Sequence, residues 1–325
     1  MTEGKFYTPF QEPWWLDATA PGQWDAVEVE RGGQLQAYLP FVVGERNGAR
    51  FLEQPFLTQS LGPWIADTGA GYTNTLSREM SLYKELIDGL PDHDVFKQHF
   101  ATQVTNWLPF YWEGFTQTTR YTYTLDMRQS LEELHKGMDK RNRSRINKGK
   151  EQLVLSESET EGLETLLDLS EMTFERQGMQ LPYSRAFVRK LDEAVQKHSR
   201  RLIVIARGKE DGLPHAANYA FGDSKRVYAL MSGADPALRQ SGASVVARWR
   251  TIEWAHTFTE TFGFEGSMVR GIEHRNRKYG AHQTPYFSIR WSNGVLEANE
   301  RKRQLRRAPL VAAWRLKEAA LKPFR

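Results

Sequence analysis

YALMSGADPALRQSGASVVARWRTIEWAHTFTETFGFEGSMVRGIEHRNRKYGA, residues 228–281, decides how this chain is read. It opens with a strand, YALMSG, and reaches a glycine-containing turn, RQSGAS, that runs from Arg239 to Ser244. A helix follows with Val245, Trp249, Ile252 and His256 on one face, then a second strand, GFEGS, and a short basic helix. The first backbone N–H groups of a helix have no intrahelical partner, so a turn that ends at a helix start is an anion site. Arg239 adds a point charge, Gln240 and Ser241 complete the turn, and Gly242, Ala243 and Ser244 are small enough to let a phosphate approach the backbone. A polar turn that merely starts a surface helix has the same residues; the strand–turn–helix–strand order favours the anion reading.

Outside this stretch the composition is that of a globular chain, 325 residues long and 12% aromatic, enough for two domains of ordinary size. No run approaches the roughly 20 apolar residues that span a bilayer, and MTEGKFYTPF has no apolar signal region. A cytoplasmic protein is expected. With no cysteine, disulfides, thiolate metal sites and a cysteine nucleophile are excluded. There is no HExxH, CxxC or Walker A loop, so neither a metal nor a nucleoside triphosphate is expected.

The net charge of +4 is unevenly spread: residues 135–150 carry seven Lys/Arg against one Asp, residues 297–325 nine against three Glu, and the remainder is acidic. Two basic patches suit phosphate-bearing partners, or simply solvated helix faces. Arg141, Arg145 and Lys148 recur at i, i+4 and i+7 and share one helical face. The C-terminal patch mixes cations with Leu310 to Trp314, Leu316 and Leu321, a composition for packing on the protein body or for peripheral contact with an acidic membrane.

Strands and helices mix along the whole length, an α+β pattern with mixed sheets. Residues 10–66 read as β-rich, with a hairpin of DAVEVE and QLQAYLPFVV around Arg31 to Gly33. Leu76, Met80, Tyr83 and Ile87 line a helix, and VFKQHF and FYWEGFTQTTRYTYTLDM return to strand-type residues. SLEELHKGMDKRNRSRINKGK reads as one basic helix opened by a Ser130/Glu133 capping box. Two amphipathic helices, around Leu166 and Leu191, precede a meander of RLIVIAR, HAANYAFG and RVYALMSG, and TPYFSIRW is a last strand. The expected units are 1–127, 128–292 and a basic helical extension, 293–325.

The words LHKGMDKRNRSRINKGK, SGASVVARWRTIEWAH and FEGSMVRGIEHRNRKYGAHQTPYF resemble the GNAT N-acetyltransferase fold. With PWWLDA, AYLPFVV, PFLTQSLGPWI and NWLPFYWEGFTQTTRYTY, the whole chain resembles the FemAB-like branch, two tandem GNAT-like domains. The resemblance implies an acyltransferase moving an acyl group from acyl-CoA, or an amino acid from aminoacyl-tRNA, to an amine or hydroxyl of a small-molecule, sugar or lipid-linked acceptor. Cell-envelope or polysaccharide assembly is the implied setting, with no DNA partner. The absence of a long heptad arm favours acyl-CoA over tRNA. A non-catalytic ligand-binding protein of the same fold is the third reading.

By the same resemblance Arg239, Gly242, Ala243 and Ser244 hold the donor's pyrophosphate, with Gln240 and Ser241 in the turn. The pattern's usual general acid, a Tyr four residues before a Gly, is replaced by Asn276, which has no titratable proton. Tyr279 lies nearby and reads as a packing residue. Glu265 and Glu273 are the candidate general bases; Ser267 either orients the acceptor or caps the helix near Val269. Arg277, with Arg141, Arg145 and Lys148, is a candidate phosphate contact; His256 reads as a core histidine, His274 as a phosphate neighbour.

Overall fold

Pro13 supplies the first turn of a helix within the stretch read as β-rich with turns: α1 (Pro13–Thr19) buries Trp15 and Leu16. Proline is preorganised for that position, and its missing N–H costs nothing there. The computed structural model describes residues 5–158 and 160–294; the expected basic extension lies outside them apart from Asn293 and Gly294. The hairpin forms as read, β1 (Trp24–Arg31) against β2 (Gln34–Arg46), with Arg31 opposite Gln34 across Gly32 and Gly33. Both glycines have positive φ, which a two-residue hairpin turn of this kind requires.

Next come β3 (Ala49–Glu53), β4 (Trp64–Ile65), α2 (Tyr72–Asp88) and β5 (Val95–His99). The helix buries Leu82, Tyr83 and Leu86. The stretch FYWEGF is corrected in part: α3 (Leu108–Trp112), with Pro109 in its first turn, takes the aromatics, and β6 (Thr116–Asp126) begins after Gly114. The single basic helix is likewise two, α4 (Leu131–Gly137) and α5 (Lys140–Gln152). Ser130 and Glu133 make the capping box of the first, and Asp139 restarts the second by accepting the Arg141 N–H at 2.9 Å.

The rest runs β7 (Leu153–Ser158), α6 (Leu163–Glu175), α7 (Arg185–His198), β8 (Arg200–Gly208), β9 (Pro214–Gly222) and β10 (Arg226–Ala234). Then α8 (Ala243–His256), β11 (Thr261–Gly263), α9 (Arg270–Asn276) and β12 (His282–Ser292) close the described chain. All strands join one sheet in the order β1-β2-β3-β5-β12-β6-β11-β10-β9-β8-β7, with β4 on β2.

Apart from the short β4 that interrupts the first, one run of elements occurs twice: β3-α2-β5-α3-β6 and β10-α8-β11-α9-β12. In each, the first two strands pair in parallel across the helix. The last strand of each run crosses to the other: β6 pairs with β11, and β12 with β5, while β6 and β12 pair with each other over nine positions. Three apolar cores result. One lies under α2 and α3, one under α8, and one on the opposite side of the second half, beneath α6, α7 and α1, where Phe10 and Trp15 meet Phe221.

Candidate active site

Two defects in the sheet lie where β10 leaves its neighbours. Its register against β9 slips between Ala229 and Met231, and it pairs with β11 only over Arg226–Tyr228. Beyond Tyr228 the parallel strands part, and β10 runs on alone along that edge to Ala234. Ligands of parallel sheets gather at such carboxyl ends. The turn that follows contains a 3-10 stretch, Arg239–Ser241, then Gly242 at φ +71°, and then α8. Gly242 offers no side chain to cap the helix; Ser241 Oγ accepts the Ala243 N–H at 3.3 Å. Arg239, Gln240 and Ser244 are exposed. The side chain of Arg145, from α5, lies against Gly242: a Cβ built there would stand 3.2 Å from its Cγ. Arg141 and Lys148 are exposed on the same helix, whose Asn142, Ile146 and Gly149 are buried.

Glu265 follows β11 with φ +46°, a left-handed conformation unusual for a residue with a side chain. Its carboxylate accepts a 2.8 Å hydrogen bond from Arg226 Nη2, and its side chain is 8% exposed. The Arg226 guanidinium lies 5.0 Å from the centre of the Tyr228 ring. Around this pair is a small cleft, partly open to solvent, also lined by Thr8, Gln59, Thr122 and Tyr286. Three of its buried polar atoms, Thr8 Oγ1, Thr122 Oγ1 and Arg226 Nε, have no hydrogen-bond partner. Burial raises the pKa of the Tyr228 and Tyr286 phenols, so both keep their protons at neutral pH.

Glu273 faces elsewhere. It accepts from Tyr123 Oη at 2.9 Å and lies 3.5 Å from Arg277 Nε. Tyr123 belongs to the core under α8 and Tyr228 to the core under α6, so the two glutamates sit on opposite faces of the sheet. Arg277 also bonds His274 Nδ1 at 2.9 Å. Ser267 does not cap α9: Val269 holds that position, and Ser267 Oγ accepts from Asn276 Nδ2 at 3.1 Å, both residues buried. Tyr279 packs on Phe264 with ring centres 5.1 Å apart, and burial pushes its phenol up to about 12 against the pull of Arg248, Arg275 and Arg145. His256 is half-buried and meets the Gln129 carbonyl at 2.9 Å. Among the described residues, no group of three or more His, Asp or Glu side chains is arranged to hold a metal ion.

Residues 135–263 match the family model described as an acetyltransferase (GNAT) domain. This part of the chain carries a GNAT-type sequence pattern. The solved structures give the fold of the remainder. FemX matches with a TM-score of 0.63 at 12% identity, covering 88% of this chain and 93% of that one. A tandem GNAT protein from the clavulanic acid biosynthesis pathway matches with a TM-score of 0.52 at 10% identity, covering 86% of each chain. L-PGS from Bacillus licheniformis matches with a TM-score of 0.53 at 10% identity, covering 92% of this chain and 96% of that one. The fold is therefore shared with FemX and with a tandem GNAT protein. No curated protein matches the sequence. Among the described residues, no helix is long and apolar enough to cross a membrane.

Sequence reasoning had not singled out Arg226, Tyr228, Tyr286 or Thr122, because the pocket they form gathers residues from three strands and from the other half of the chain.

Proposed function

We propose that this protein is an acyltransferase that moves an acyl group from acyl-CoA to an amine or hydroxyl of a small-molecule, sugar or lipid-linked acceptor in cell-envelope or polysaccharide assembly. The observation that carries this reading is the glycine-capped start of α8, with Arg145 across Gly242, at the carboxyl end of a parallel pair that parts after Tyr228. The donor's pyrophosphate would lie on the turn from Arg239 to Ser244, and its thioester between β10 and the segment after β11. A backbone N–H of the slipped strand would stabilise the carbonyl oxygen as it becomes an oxyanion.

The acceptor's nitrogen or oxygen attacks the thioester carbon, its proton passes to Glu265, and the C–S bond breaks to release CoA thiolate. Glu265 is the better of the two candidate bases, since it lines the pocket beside the parting strands. Asn276 cannot protonate the thiolate, so that proton comes from water. Ser267 and Asn276, bonded to each other, hold the segment between Glu265 and α9. The exposed stripe of Arg141, Arg145 and Lys148 supports a second reading, aminoacyl transfer from tRNA.

The chain has no cysteine, so a thiol reagent detects released CoA alone. Purified protein with acetyl-CoA and a panel of amines, amino sugars and lipid-linked acceptors is expected to release thiol in an acceptor-dependent way. CoA is also expected to raise the melting temperature. Failure of CoA to bind, with tight and steeply salt-dependent binding of aminoacyl-tRNA, would overturn the donor assignment. CoA binding without turnover on any acceptor would identify a non-catalytic binding protein.

A further inference from the structure

Strands β5 and β11 stop on opposite flanks of the crossed pair, β6 and β12. β11 ends at Gly263, opposite Thr124 of β6, and β5 ends at His99, opposite Ser288 of β12. Between these ends, among the described residues, no third strand pairs with either: Arg120 stands opposite Tyr286 and Thr122 opposite Thr284. Side chains alternate along a strand. Tyr123 and Leu125 enter the core under α8, so Arg120 and Thr122 lie on the other face, where Glu265, Tyr228 and Tyr286 line the cleft.

Arg120 is half-buried on this floor. Its Nε donates to Tyr286 Oη at 3.1 Å, and Tyr286 is itself buried. That bond orients the guanidinium and leaves its two terminal nitrogens, with their N–H donors in a fixed fork, for another partner. Neither nitrogen is shut away from solvent, and among the described residues no carboxylate pairs with Arg120. Two acids on this face are already engaged. Glu265 pairs with Arg226 at 2.8 Å, and Glu53, opposite Lys97, pairs with Arg46 at 2.7 Å. The hydroxyls of Thr8 and Thr122, both buried and both lining the cleft, have no hydrogen-bond partner either. Buried polar groups left unpaired are unfavourable, and a polar molecule in the cleft would pair them.

We propose that this floor is the acceptor subsite, and that Arg120 selects acceptors bearing a carboxylate or phosphate. The anion takes the free fork of Arg120, a charge-assisted and geometrically specific contact. Tyr286 is the positioning residue that holds the fork. The nucleophile lies beside Glu265, about 7 Å away along β6, the length of two strand residues. This rests on the acyl-transfer reading given above and narrows its acceptors to anionic amines and alcohols. A neutral acceptor of the same size gains nothing from Arg120.

The test uses two pairs of acceptors that differ by one anionic group: lysine against cadaverine, and glucosamine 6-phosphate against glucosamine. Thiol release from acetyl-CoA is measured with the full chain, and binding of each acceptor is measured by calorimetry without donor. The wild type is expected to favour the anionic member of at least one pair by about tenfold or more, the worth of one charge-assisted hydrogen bond. The preference should appear in KM and in affinity, and the pair that shows it tells carboxylate from phosphate. Arg120→Leu is expected to bring that ratio to about one, Arg120→Lys to keep part of it, and Tyr286→Phe to reduce it through KM. A wild type that prefers neither anionic member overturns the proposal, as does a preference that survives Arg120→Leu. An equal loss of kcat for both members in Arg120→Leu and Arg120→Lys, with the ratio kept, would also overturn it, since it marks a structural role. Arg120-dependent binding of the anionic member without thiol release would leave the subsite standing and reject the acyl-transfer reading.

Discussion

The side chain of Arg145 lies across Gly242, near enough that a Cβ on the glycine would stand 3.2 Å from Arg145 Cγ. Two sequence features more than ninety residues apart, a basic stripe and a small-residue turn, thus form one surface. The glycine does two things there: it adopts φ +71°, and it leaves room for the arginine.

Gly242→Ala should therefore lose on both counts. The methyl group meets Arg145 and the backbone is strained, costing about 1–2 kcal/mol of stability. CoA affinity should fall with it. Denaturant unfolding and calorimetry of the same preparation measure the two effects; a variant as stable as the wild type would contradict the strain argument.

Glu265→Gln keeps the shape of the side chain but removes its charge beside Arg226. Acyl transfer should drop by about 10²–10⁴-fold, the usual contribution of a general base, while CoA affinity stays unchanged. Stability should fall as well, by roughly 3 kcal/mol, because Arg226 is left buried and unpaired. Steady-state kinetics decide the catalytic claim: a KM effect with an unaltered kcat would make Glu265 a binding residue only.

His99 gives the fold a pH dependence. Burial, helped by Arg120, lowers its pKa to about 4, and its ring packs edge-on to Tyr286. In the unfolded chain it titrates near its ordinary value of 6.5. Between these values the unfolded state takes up a proton that the folded state refuses, so stability should fall as pH drops from about 6.5 to about 4. At about 1.4 kcal/mol per pH unit the loss totals roughly 3 kcal/mol. His99→Gln should flatten the slope in that window, as read from urea unfolding at several pH values.

The crossed strands predict cooperative behaviour. Residues 128–325 expressed alone lack β6, which supplies partners to both β11 and β12. The fragment also lacks β5, so β12 loses both its neighbours and β11 one; such unpaired edges aggregate. The fragment should be insoluble or unfolded, and mixing it with residues 1–127 should restore a soluble complex. A monomeric, cooperatively folded fragment would show that the second unit does not need the exchanged strand.

Local chemistry was legible in the chain itself. The Gly32-Gly33 hairpin, the Ser130/Glu133 capping box, the meander from Arg200 to Ala234 and the glycine start of α8 each depend on a few adjacent residues whose conformational preferences agree. The errors were also local, and each has a local cause: proline in the first turn made helices of PWWLDAT and LPFYW, and Asp139 divided the basic helix in two. What the sequence could not settle was which distant residues meet. The exchange of β6 and β12, the pocket joining Thr8 and Gln59 to Arg226 and Glu265, and the separation of Glu265 from Glu273 by the sheet all follow from long-range pairing. A strand's alternation specifies which side chains share a face, but any strand of suitable pattern can be its neighbour; only the folded sheet chose among them.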